Sequence, residues 1–427
     1  MEAINTRTGF ATATNVRWTN IAPTLLVIWI MGALDKSNTA IFISDPAFLH
    51  DFGLAGHAPL LGWLSTVVLL GYGLMAPLWG MAVVRFGPRK IVIASLSIWA
   101  ITCFVCGMAT NYNELLISRL ALGVGEGALY PLTVALVANW FPLNERGRAT
   151  GFWWIGTMIG PMVTGILITS LIVHFGWRWQ FHVLGLVTLL GTLPMAWFLL
   201  RDKPEQHPDA NDVEAELIDA GSLENNLDVV GRANKVTTNI WLSHRFWLIV
   251  IGLVGNNIFF WGWSSWLPTY LRTQRGMSFS VSGYLTFIIY GCAVFTILGM
   301  GYLGDKLSRR AHLAALGWGL GAVALISAAW SPDRAVCVIL MMVALCCQQI
   351  GVSSCEALVH SVVNKADMSR TQGVRACIVQ VMGALGPALI GYMVAATGGS
   401  FTVGFALLAV SIAMSSLCMA KLWMEGF

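Results

Sequence analysis

Asp35 and Lys36 stand side by side in the first long apolar stretch of the chain, and Arg119 and Glu126 stand in the fourth. An ionised side chain at bilayer depth costs at least ~2.5–3.5 kcal/mol, so such residues mark function by default. Two acids and two bases suit one kind of chemistry. A base draws in an anion, and an acid that loses its basic partner takes up a proton. No nucleophile with an adjacent base is evident, and no G-x-x-x-x-G-K-[ST] phosphate loop is present. The residues therefore point away from an enzyme or a nucleotide-driven pump and toward a carrier driven by an ion gradient.

Spacing refines this reading. Arg119 and Glu126 are seven positions apart, about two helical turns or ~10.5 Å along one face. Tyr130 lies one turn further on. Gly123, Gly125 and Gly127 bare the backbone between them, so another helix or a ligand can come close. The opposing role for Arg119 and Glu126 is to neutralise charges on other helices and fix the packing. Asp35 and Lys36 point ~100° apart on a helix and need not pair with each other. Asp35 is expected on one wall of a cavity while Lys36 reaches toward a substrate. Weaker candidates are Tyr72 in the second segment and Asn256 and Asn257 in the seventh. In the tenth, Gln349, Ser353 and Glu356 share a face. Trp153, Trp154, Trp261 and Trp263 offer rings on which a flat substrate could stack.

The elements that must position these groups are membrane spans. Of 427 residues, 56% are hydrophobic and 11% charged, against about 25% charged in a soluble domain. A spanning helix needs ~20 mainly apolar residues, and twelve segments qualify. They are approximately 19–43, 60–84, 90–109, 113–139, 148–173, 179–200, 246–271, 281–304, 311–330, 334–359, 371–396 and 401–422. The polar stretch 201–245 divides the chain into an N-terminal six-helix bundle (1–200) and a C-terminal one (246–427), with a short helix expected near Val213 to Ala220. Of the 25 Lys and Arg, 19 fall on the side of both termini and the polar stretch and 4 on the other, with Lys36 and Arg119 at depth. That bias predicts cytoplasmic termini. The nine cysteines lie in apolar stretches, so no disulfide framework is expected. Cys103 and Cys106 form a C-x-x-C pair without a second ligand pair, so no metal site is expected either.

The halves repeat. Gly80-Met-Ala-Val-Val-Arg-Phe-Gly-Pro-Arg-Lys90 follows the second segment, and Gly301-Tyr-Leu-Gly-Asp-Lys-Leu-Ser-Arg-Arg310 follows the eighth. Parallel repeats around a midplane site are one architecture of secondary transporters. The two loops resemble the G-x-x-x-D-R-x-G-R-R signature of the major facilitator superfamily. The second copy is good at Gly301, Asp305 and Arg309, whereas the first has Val84 in the acidic position.

A narrower resemblance covers nearly the whole chain. It rests on Asp35-Lys36-Ser37-Asn38, on Arg119, Gly123, Glu126, Tyr130 and Pro131, on Asn139 to Arg148, and on Trp266-Leu-Pro-Thr-Tyr-Leu271. Together these resemble the anion:cation symporters of that superfamily. The resemblance implies an all-α fold of twelve helices and import of a sugar acid, aromatic acid or other carboxylate with protons or sodium, and the lack of a cluster of oxygen ligands favours protons. It assigns proton coupling to Asp35 and Glu126 and the substrate anion to Lys36, where the family usually has Arg. Tyr72, Arg119, Tyr130, Asn256, Asn257, Gln349 and Ser353 complete the expected binding set. Gly301, Asp305 and Arg309 would form a conformational latch. No cofactor beyond a proton gradient and no nucleic acid are expected, only a monomer in a bacterial inner membrane. The rival readings are an exchanger or efflux carrier of the same fold, and a membrane sensor that binds without transporting.

Overall fold

The computed structural model describes residues 13–218, 243–304, 310–362 and 368–426, and all regular structure among them is helical. Twelve helices are long and apolar enough to cross a membrane. They are α1 (Arg17–Phe42), α2 (Ala58–Phe86), α3 (Pro88–Met108), α4 (Tyr112–Trp140), α5 (Leu143–Phe175), α6 (Trp177–Leu199) and α7 (His244–Thr273). There follow α8 (Phe279–Gly304), α9 (Arg310–Trp330), α10 (Arg334–Val362), α11 (Met368–Gly383 with Gly386–Ala396) and α12 (Thr402–Met424). The expected segments match these within a few residues. Asp305 and Arg309 of the expected latch lie outside the described residues, as do the side chains of Ser353 and Glu356. Gly301 falls near the end of α8.

Among the first six helices, α1 packs on α5, α2 on α4, and α3 on α4 and α6. Among the last six, α9 packs on α10 and α12, and α7 on α11 and α12. The two sets meet where α5 crosses α8, where α2 crosses α11, and where α1 crosses α7. Glycine permits the closest of these crossings. A Cβ on Gly62 would sit 2.5 Å from the carbonyl oxygen of Pro387, and one on Gly391 equally near that of Ala58. Gly165 stands likewise against the carbonyl of Gly283. At the end of α7, Arg272 donates to the carbonyl of Ser44 just past α1. These contacts draw the two sets together on the face opposite residues 201–218.

Residues 201–218 are docked rather than free. The short helix at 212–218 buries Glu214 completely. Its carboxylate accepts from Arg17 Nη1 at 2.8 Å, from the backbone NH of Val16 and Arg17, and from the Thr14 hydroxyl. Arg17 also grips Glu145 at the start of α5. Asp202 accepts from the Arg89 backbone NH at 2.7 Å, capping the first turn of α3. The α2–α3 junction, where Val84 near the end of α2 stands in place of an acid, thus receives a carboxylate from a distant part of the chain. Val84 itself is 89% exposed.

Candidate substrate and coupling site

The site is built on a flaw in α4. Pro131 has no NH to offer the carbonyl four residues back, and the glycines around it resist helix weakly. The helix yields at Gly127 and Ala128, directly after Glu126. Irregular backbone at membrane depth must find other partners. Trp79 Nε1 donates to the carbonyl of Val124 and Ser95 Oγ to that of Gly125, each at 2.7 Å. Glu126 is thereby held at a fixed point in the interior. A Cβ on Gly123 would collide with the Val68 carbonyl, so α2 and α4 lie backbone to backbone beside it.

The four charges pair crosswise between α1 and α4. Lys36 forms an ion pair with Glu126. Its Nζ also lies 3.3 Å from the Gly32 carbonyl and 4.6 Å from the centre of the Tyr72 ring. Glu126 is fully buried, neither carboxylate oxygen has a well-directed hydrogen bond, and Lys36 is its partner. Asp35 points elsewhere, into the packing of α1 against α3 and α4. It accepts from Trp99 Nε1 at 2.5 Å, Asn38 Nδ2 at 2.7 Å and Cys103 Sγ at 3.3 Å, with Arg119 Nη1 at 3.9 Å. Arg119 donates to Asn38 Oδ1 at 3.2 Å and to the Thr39 hydroxyl, and lies near the Phe42 and Phe181 rings.

The two clusters differ in kind. Asp35 accepts three hydrogen bonds and has the Arg119 guanidinium 3.9 Å away, and Arg119 is fully buried beside two aromatic rings. Lys36 and Glu126 are held by little besides each other. An incoming anion could separate the second pair at far lower cost than the first. The structure thus brings Lys36, Tyr72 and Glu126 together, and it places Asp35 and Arg119 in a separate group.

The remaining candidates divide further. Tyr130, past the break, lies edge-on to Trp153 at 6.5 Å. Asn257 turns to its own helix, donating to the Leu253 carbonyl beside Gly383 of α11. Asn256 faces α10, where its Oδ1 accepts from Gln348 Nε2 at 2.7 Å. Gln349 Nε2 donates to Gln348 Oε1 at 2.8 Å and lies 3.3 Å from Met158 Sδ of α5. The rings expected to stack on a substrate are partly committed. Trp153 stacks on Trp29 at 4.4 Å, and Trp263 is fully buried against Phe259.

Sequence reasoning missed Gln348, Trp99, Cys103, Asn38 and Thr39 as partners of the charged and amide groups. Asn38 and Thr39 carried a signal, being polar side chains within an apolar run. Trp99 and Cys103 carried none, because either is an ordinary spanning residue.

The family model of the Major Facilitator Superfamily matches residues 25–299 and 285–425, nearly the whole chain. The chain belongs to that superfamily. Its relatives include a protein named probable L-galactonate transporter in Escherichia coli strain K12, 24% identical over 377 residues, 86% of this chain and 81% of that one. The hexuronate transporter of Bacillus subtilis strain 168 is 23% identical over 93% of this chain and 94% of its own length. Among solved structures, the inward-facing, occupied bacterial homologue of the human lysosomal transporter Spinster superposes with a TM-score of 0.75. It is 17% identical and covers 97% of this chain and 98% of its own. That likeness carries the fold. With the family it bears out the twelve-helix expectation and makes this superfamily member a transporter rather than an enzyme.

Proposed function

We propose that this carrier imports a small organic anion, a sugar acid or another carboxylate, together with protons, by rocking its two six-helix halves around Lys36. The observation that supports this reading is the isolated Lys36–Glu126 pair. A substrate carboxylate that reaches Lys36 competes with Glu126 for the same ammonium. The displaced Glu126 would be a lone buried charge, which is costly, and it escapes that state by taking a proton. Anion binding and proton uptake become one event, and the loaded site carries no uncompensated charge. Release reverses both steps, and Lys36 and Glu126 close on each other so that the empty carrier also crosses neutral.

The Asp35–Arg119 cluster serves this cycle from behind. It fixes the rotation of α1 and so aims Lys36 at α4. The relatives named for L-galactonate and hexuronate favour a hydroxylated carboxylate. The bias of Lys and Arg favours cytoplasmic termini in a bacterial inner membrane, and the carrier is read as a monomer.

The test is uptake of L-galactonate, glucuronate and benzoate into proteoliposomes with an imposed pH gradient. Wild-type protein should accumulate at least one of them, and Lys36→Gln should raise its KM by tenfold or more. Accumulation that ignores the pH gradient while counterflow persists would identify an exchanger. Binding without any flux would identify a sensor.

A further inference from the structure

The amides on α7 and α10 form an ordered relay that no charge explains. A carboxamide has one accepting edge and one donating edge. Gln349 donates to Gln348 Oε1, and Gln348 in turn donates to Asn256 Oδ1. Each link therefore fixes which edge the next residue presents. Gln348 is 1% exposed, and its own backbone carbonyl accepts from Trp318 Nε1 at 3.2 Å. It is anchored at both main chain and side chain. Asn256 is the end of the relay. Its oxygen is occupied, so the NH2 edge is turned away from α10. Asn256 Nδ2 meets no protein acceptor among the described residues, yet it is not among their sealed unpartnered polar atoms. Asn256 as a whole is 4% exposed, so that nitrogen keeps at most a small opening.

We propose that Gln348 is a positioning residue that holds Asn256 with its NH2 edge outward, as a donor to an oxygen of the substrate. The inference rests on the organic-anion reading and assigns the C-terminal half a share in it. An ionised carboxylate offers only acceptor oxygens, so a donor edge favours it, whereas an acceptor edge could meet only a hydroxyl of the substrate. Without Gln348 the Asn256 amide is free to flip, and its donor edge is no longer held toward the substrate. Gln349 ties the same relay to Met158 of α5, which belongs to the other half of the molecule. One end of the relay thus touches the other half of the molecule, while the Gln348–Asn256 link lies between α10 and α7.

The experiment measures L-galactonate and glucuronate binding to the purified full chain, and exchange in proteoliposomes. Gln348→Met keeps the length and removes the amide. It should raise Kd and KM about 5- to 50-fold, the loss expected for one oriented hydrogen bond, with the maximal exchange rate changed less than twofold. Gln348→Glu accepts but cannot donate, so it forces the Asn256 amide to turn and should weaken binding further. The decisive comparison is a double-mutant cycle. In an Asn256→Ala background, Gln348→Met should have no additional effect on Kd, because Gln348 acts only through Asn256. Additive losses, or an unchanged Kd in Gln348→Met and Gln348→Glu, would overturn the inference and leave the organic-anion reading standing. Binding of neither acid by the wild type would overturn both.

Discussion

Replacing Glu126 with Gln tests the competition at Lys36 directly. The side chain keeps its shape and loses its charge. Lys36 is then left with the Gly32 carbonyl at 3.3 Å and the Tyr72 ring at 4.6 Å. Breaking a buried ion pair by removing one partner typically costs about 3–5 kcal/mol, because the other charge remains uncompensated. The Lys36–Tyr72 contact, worth ~0.5–2 kcal/mol, is already present beside the intact pair and so does not offset that loss. The empty Glu126→Gln carrier should therefore melt earlier than wild type. Its anion affinity should rise, since the substrate no longer displaces an internal carboxylate. Recovering even ~1.4–2.8 kcal/mol of the lost pairing tightens binding 10- to 100-fold. Thermal melts across a series of L-galactonate or glucuronate concentrations read both quantities. The mutant should start lower and gain more per decade of ligand. In proteoliposomes it should exchange substrate yet fail to accumulate it under a pH gradient, because the proton acceptor is gone. Unchanged affinity together with full pH-driven accumulation would refute the competition and remove Glu126 from coupling.

Two further outcomes follow from the packing. Arg119→Leu strands Asp35 inside the bundle and should destabilise the protein by about 3–5 kcal/mol. Arg119→Leu with Asp35→Asn should recover much of that loss, as read by melting temperature, and additive losses would count against the pairing. Gly62→Ala places a methyl on the Pro387 carbonyl where α2 crosses α11. It should open the face opposite residues 201–218, raising cysteine labelling at introduced sites on that face, and equal labelling in wild type and mutant would show that the crossing does not hold it shut.

Much of this molecule was legible in the chain itself. Twelve apolar runs of spanning length leave few soluble alternatives, since a backbone in hydrocarbon must satisfy its own hydrogen bonds. Charges at depth announce themselves because they are so costly there. Asp35, Lys36, Arg119 and Glu126 were therefore visible as a group, and the repeated loop and helix motifs were enough to suggest the superfamily. How the four charges pair was not visible. Residues 35 and 36 differ by ~100° of helix rotation, and only the placement of α1 against α2, α3 and α4 decides which neighbour each one meets. Helices apolar on nearly all sides give no stripe from which to read that rotation. The same blindness hid Gln348, whose neighbour Gln349 looked equally eligible. It hid the carboxylate of Asp202 at the α2–α3 loop, which comes from 113 residues away. The sequence determined which groups had to be accommodated inside the membrane. The tertiary structure decided which of them are saturated, as Asp35 is, and which are held by a single exchangeable partner, as Glu126 is. That difference arises from counting donors in three dimensions, and no spacing along the chain contains it.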